Sequence, residues 1–175
     1  TAMGGADLAL VPLDIARLTL IIAGRNAEAA RAFCERFSAA TLVPAVFNRA
    51  GVLEGQLLDL NPDIVVDASG PFQDYGADPY AVPRAAIAVG ADYIDLADAA
   101  AFVDGIGALD DAARGAGRTV LSGASSFPVL TAAVVRHLTK TLTRVDRIEA
   151  GIAPSPYAGV GLNVIRAIAS YAGKP

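Results

Sequence analysis

Short runs of β-branched and aliphatic residues alternate along this chain with Ala-rich stretches of helical character. That alternation constrains the fold more than any single motif does. Leu18-Thr-Leu-Ile-Ile-Ala23 is a continuous apolar run closed by Gly24. It lacks an in-and-out period, so it suits a strand buried on both faces of a parallel sheet. Asn26 is placed to cap a helix over Ala27 to Phe37, with Ala30, Phe33, Cys34 and Phe37 on one face. Thr41 to Phe47 reads as a second strand, which Pro44 assigns to a sheet edge or a strand start. A helix over Gly51 to Leu60 is ended by Asn61-Pro62.

Ile64-Val65-Val66 forms the next strand, and Asp78-Pro79 opens a helix that runs to Val89 and closes at Gly90. Tyr93 to Leu96 is a strand, followed by a helix over Ala99 to Arg114 that Gly105 and Gly107 break. Thr119 to Leu121 is a strand, and Phe127-Pro128 leads into a helix ending near Leu142. Val145 to Ile152 reads as a strand and Gly161 to Tyr171 as a last helix. Strands separated by helices imply right-handed crossovers, and the expected fold is a doubly wound, mostly parallel α/β sheet. Such sheets bind ligands beyond the carboxyl ends of their strands. Here those ends are small or polar: Gly24-Arg25-Asn26, Ala68-Ser69-Gly70, Ala97-Asp98 and Gly123-Ala124-Ser125.

Composition removes several classes of protein. The chain has 175 residues, 54% hydrophobic and 18% charged, which is too apolar for a disordered segment. A net charge of −4 argues against a general nucleic-acid binder, whose phosphate contacts need surplus Lys and Arg. Its one cysteine, Cys34, excludes an internal disulfide and a Cys-based zinc centre, and points to a reducing compartment. No apolar run near the start approaches the roughly 20 residues of a membrane span, and no basic residue precedes Arg17. A soluble, cytoplasmic protein is expected, with neither membrane nor nucleic acid as partner.

Each candidate functional residue carries a plain structural reading beside the chemical one. Arg25 sits between a strand end and a helix start. There it can pair with the 2′-phosphate of NADP, aided by the helix amides, or be a surface arginine next to an ordinary cap. Ala68, Ser69, Gly70, Pro71 and Phe72 can line a nucleotide channel or form a simple turn. Asp95 and Asp98 can orient a substrate amine or transfer a proton, although Asp98 is equally placed to cap a helix. Gly123 and Ser125 can hold a ligand or start the following helix. His137 reads as part of a solvated face and Cys34 as core filling. Gly159-Val160-Gly161 is a poor phosphate loop, Ser125 and Ser126 lack the nucleophile-elbow pattern, and no metal site is expected. A glycine-rich turn after a first strand is also missing, since Gly4-Gly5 follows no apolar run.

Five blocks carry a resemblance. Leu20-Ile-Ile-Ala-Gly-Arg25-Asn26 leads into Asp63-Ile-Val-Val-Asp-Ala-Ser-Gly-Pro-Phe-Gln-Asp-Tyr-Gly76, then Gly90-Ala-Asp-Tyr-Ile-Asp-Leu-Ala-Asp98. Leu121-Ser-Gly-Ala-Ser-Ser-Phe-Pro128 and Ala169-Ser-Tyr-Ala-Gly-Lys-Pro175 follow in order. Together they resemble the NAD(P)-binding domain of the saccharopine dehydrogenase (saccharopine reductase)-like family. The resemblance implies a Rossmann-type domain over residues 18–155. Residues 1–17 are then an irregular lead-in or a remnant of the first βα unit, and residues 156–175 a helix leading to a substrate domain outside this chain. It implies an oxidoreductase using NADP, or NAD, on a small amino-acid-like imine or carbonyl; separately, a homodimer is the expected assembly. Arg25, with Gly24 and Asn26, would meet the adenosine phosphate, residues 68–72 the cofactor, and Asp95 to Asp98 the nicotinamide side. The alternative is a non-catalytic nucleotide-binding or dimerisation module on the same scaffold.

Overall fold

A computed structural model describes residues 17–38 and 40–151, and beyond them only residues 157, 165, 169, 172 and 173. The lead-in and most of the last expected helix lie outside the described residues. The chain is mixed α/β, with helices between parallel strands, as expected of a Rossmann-like fold. The strands form two small sheets, one of two strands and one of three. The chain divides into two compact units at the Gly51–Val52 junction.

The first unit contains β1 (Thr19–Gly24), α1 (Ala27–Cys34) and β2 (Thr41–Val46). β1 and β2 pair in parallel from Thr19↔Thr41 to Gly24↔Val46. Pro44 is tolerated because β2 lies at the edge of this pair. Asn26 caps α1 as expected, its side-chain oxygen accepting from the Glu28 and Ala29 amides at 3.0 Å each. Burial is slight: Ala30 alone is buried among the described residues of this unit, and Phe33 and Phe37 stack at 4.9 Å while largely exposed.

The second unit contains α2 (Leu53–Leu60), β3 (Ile64–Asp67), α3 (Ala81–Val89), β4 (Asp92–Asp95), α4 (Ala100–Gly105), α5 (Asp110–Ala116), β5 (Val120–Leu121) and α6 (Ser126–Leu138). Short 3₁₀ turns cover Phe72–Asp74 and Ile106–Leu109. The helix expected over 99–114 is thus broken where Gly105 and Gly107 stand. The sheet order is β3-β4-β5, all parallel. Asn61 and Gly90 close α2 and α3 in the left-handed conformation.

One face of this sheet is covered. Val65, Tyr93 and Val120 share it with Asp67 and Asp95, and Ile87, Leu109 and Ala113 pack there with Val120. The opposite face keeps Ile64, Val66 and Leu121 about half exposed, and β1, expected to be buried on both faces, contains no buried residue. Beyond the strand tips, Phe72, Ala97, Ala99 and Phe102 form a second cluster, joined by Tyr75, Tyr80, Val103 and Ile106. Residues 145–151 form no strand, because no neighbouring strand pairs with them there, and they are exposed. No helix among the described residues is long and apolar enough to cross a membrane.

Candidate functional site

The first unit carries an open cavity of about 630 Å³ at the carboxyl end of β1. It is lined by Ile22, Ala23 and Gly24 of β1, by Arg25 and Asn26, and by Ala29, Ala30 and Phe33 of α1. A Cβ built on Gly24 meets nothing within 4 Å, so the backbone here is open to close approach. Arg25 is exposed and has no ion-pair partner among the described residues. The expected contribution of helix amides is reduced. Asn26 occupies the Glu28 and Ala29 amides with its side chain and the Ala30 amide with its carbonyl, at 3.1 Å. Among the residues that line the cavity, Arg25 alone carries a cationic side chain.

In the second unit, the strand-end residues are tied to one another. Asp67 and Asp95 end neighbouring parallel strands in register, on one face. Asp67 Oδ1 accepts from the Ser69 hydroxyl at 2.6 Å and the Ser69 amide at 3.0 Å. Since Ser69 spends its proton on Asp67, the Tyr75 hydroxyl 2.9 Å away donates to Ser69. Tyr93, fully buried, points its hydroxyl at Asp67 Oδ2 at 3.4 Å. Asp95 is fully buried, and its Oδ1 accepts from the Ala97 amide, the Ser122 hydroxyl and the Gly123 amide, each at 2.9 Å.

The residues singled out in the sequence thus differ in surroundings. Ala68, Ser69 and Asp98 are exposed, and Gly70, Pro71 and Ser125 are half-buried. Phe72 is buried, its ring 4.7 Å from Tyr75 and 5.1 Å from Phe102. Gly123 is buried at φ +74°, where a Cβ would press Val103 at 3.4 Å. Asp98 does not cap α4, since Ala99 holds that position without a side-chain bond. It accepts instead from Gln73 Nε2 at 3.0 Å. Cys34 is half-buried and His137 exposed.

Gln73, Tyr75, Tyr93 and Ser122 were missed in the sequence. The available signal was an Asp closing two successive strands. A carboxylate at such a tip folds back on the amide two residues later, as Ser69 and Ala97 both show. No group of acidic, His or Cys side chains among the described residues could hold a metal ion. No family model matches this chain, and no curated protein matches it either.

Proposed function

We propose that this chain is the cofactor-binding part of an NADP-dependent oxidoreductase of the saccharopine dehydrogenase-like type. It would move hydride to or from an amino-acid-like imine or carbonyl. The observation that carries the reading is the cavity at the β1 tip, with its open Gly24 backbone and an exposed Arg25 that has no ion-pair partner among the described residues. These residues fit the adenosine end of a dinucleotide: an apolar wall for the base, and an exposed guanidinium for the 2′-phosphate. The cofactor would supply the hydride chemistry and the protein its position.

Within this proposal Gly24, Arg25 and Asn26 hold the adenosine phosphate. Ala68, Ser69, Gly70, Pro71, Phe72, Gly123 and Ser125 contact the cofactor, and Asp98 exchanges the proton with a small-molecule substrate. NAD is the weaker-binding alternative, and a cytoplasmic homodimer is the proposed assembly. The burial of Asp95 favours one rival, a nucleotide-binding module without chemistry, because Asp98 is then left without an acidic partner.

The test is a pair of fluorescence titrations, with NADPH and NADH, on the chain and on Arg25→Ala. A lost charge-assisted contact predicts NADPH affinity reduced about tenfold or more, with NADH changed less than about twofold. Equal losses remove Arg25 from the phosphate. No binding of either nucleotide by the unaltered chain removes the cofactor reading.

A further inference from the structure

We infer that Asp95 is a positioning residue: one of its carboxylate oxygens fixes the turns that follow both β4 and β5. The inference rests on the cofactor reading only where NADPH serves as a probe. The β4–β5 ladder ends at Ile94↔Leu121. Past that point Asp95 continues the tether, its Oδ1 taking the Ser122 hydroxyl and the Gly123 amide, and its carbonyl taking the Ala124 amide at 2.8 Å. The same Oδ1 takes the Ala97 amide of the turn after β4. One atom therefore sets Gly123 and the approach to Asp98 together.

The other oxygen, Oδ2, is buried and has no hydrogen-bond partner. That asymmetry separates the roles a buried carboxylate can have. A proton-transfer group needs a path to substrate, and Asp95 is 0% exposed. A charge kept for an ion pair would face a cation, and none pairs with it among the described residues. What remains is an acceptor that collects three donors on one atom. An amide oxygen can accept the same donors, though more weakly than a carboxylate, and its NH₂ would lie where Oδ2 now lies, opposed by no donor. Asparagine should therefore replace Asp95, whereas alanine leaves three donors unmatched.

The experiment compares Asp95→Asn and Asp95→Ala in this chain by amide hydrogen exchange at Ala97 and Gly123, with NADPH titration alongside. In Asp95→Ala both amides should exchange about tenfold faster or more, while in Asp95→Asn they stay within about threefold of the unaltered chain. NADPH affinity should fall in the first and be restored in the second. If Asp95→Ala does not fold, Asp95→Asn decides by itself: protected amides support the role, and exposed ones overturn it. Protected amides with NADPH binding lost tenfold also overturn it, because the charge itself would then be in use. A chain that ignores NADPH removes the cofactor reading and leaves the exchange result standing.

Discussion

The two units treat the ends of their strands in opposite ways. At the tip of β1 the chain turns through Gly24-Arg25-Asn26 around open space, and the capping side chain serves its own helix. At the tips of β3 and β4, Asp67 and Asp95 draw neighbouring loops onto themselves, and aromatic rings close over the turn at Phe72. Both places have the same sequence character, small and polar residues after an apolar run. Small residues at a strand end permit close approach, but a ligand and another loop are both able to approach. A carboxylate as the last strand residue decides for the loop, since burial leaves it no other source of donors.

Substitutions can break this contrast, and the largest effect is expected in the second unit. Phe102 is 4% exposed, lies 5.0 Å from Tyr80 and 5.1 Å from Phe72, and its carbonyl receives the Tyr80 hydroxyl. Phe102→Ala should cost about 3–4 kcal/mol through lost burial and the cavity left behind. All five tyrosines follow Val52, so tyrosine fluorescence during urea unfolding reads this unit alone. A loss below about 1 kcal/mol would mean that these tips are not closed by packing.

Gly105→Ala comes next. Its new methyl would collide with the Tyr80 hydroxyl and crowd Cζ at 3.2 Å, displacing the ring from the Phe102 carbonyl. About 2 kcal/mol of destabilisation is expected, again by urea unfolding. The double variant with Tyr80→Phe should recover part of that loss, because the colliding oxygen is gone.

Much of this architecture was legible in the chain because it is written in local terms. Ile64-Val65-Val66 has no helical period, Gly90 ends α3, and Asn26 caps α1, each a matter of a few neighbouring residues. What escaped depends on partners distant in sequence. Asp98 looked like a cap until Gln73, 25 residues earlier, was seen to bond it. Asp95 looked available for chemistry because nothing local reveals that Ser122 and Gly123, 27 and 28 residues on, converge on it. The strand expected over 145–152 failed for a related reason. Its apolar residues are suitable, but a strand is a property of a pair, and none forms at residues 145–151.

In the first unit the effects are smaller and sort binding from stability. Asn26→Ala removes the acceptor for two amides and should cost about 1 kcal/mol of α1 stability. Amide exchange at Glu28 and Ala29 would show it. Asn26→Asp keeps the cap and adds a charge that suits a helix start, worth a few tenths of a kcal/mol, about 0.3–1. The same charge stands beside Arg25 in the cavity wall, so NADPH affinity should fall several-fold while stability holds or rises. A parallel fall in both would place the cofactor elsewhere.

Gly24→Ala is the mildest change and the sharpest counterpart to Gly105→Ala. Both put one methyl on a glycine near a strand tip or helix end, but here the methyl meets nothing within 4 Å. Stability should therefore move by less than about 0.5 kcal/mol, with any shift upward because alanine has less freedom to lose on folding. The methyl nonetheless enters the cavity that Gly24 lines. If a dinucleotide lies against that backbone, NADPH binding weakens although the fold is intact, and thermal melting with titration separates the two readings. Unchanged melting with unchanged binding would leave the cavity real but unused, and the contrast between the two units would then be one of packing alone.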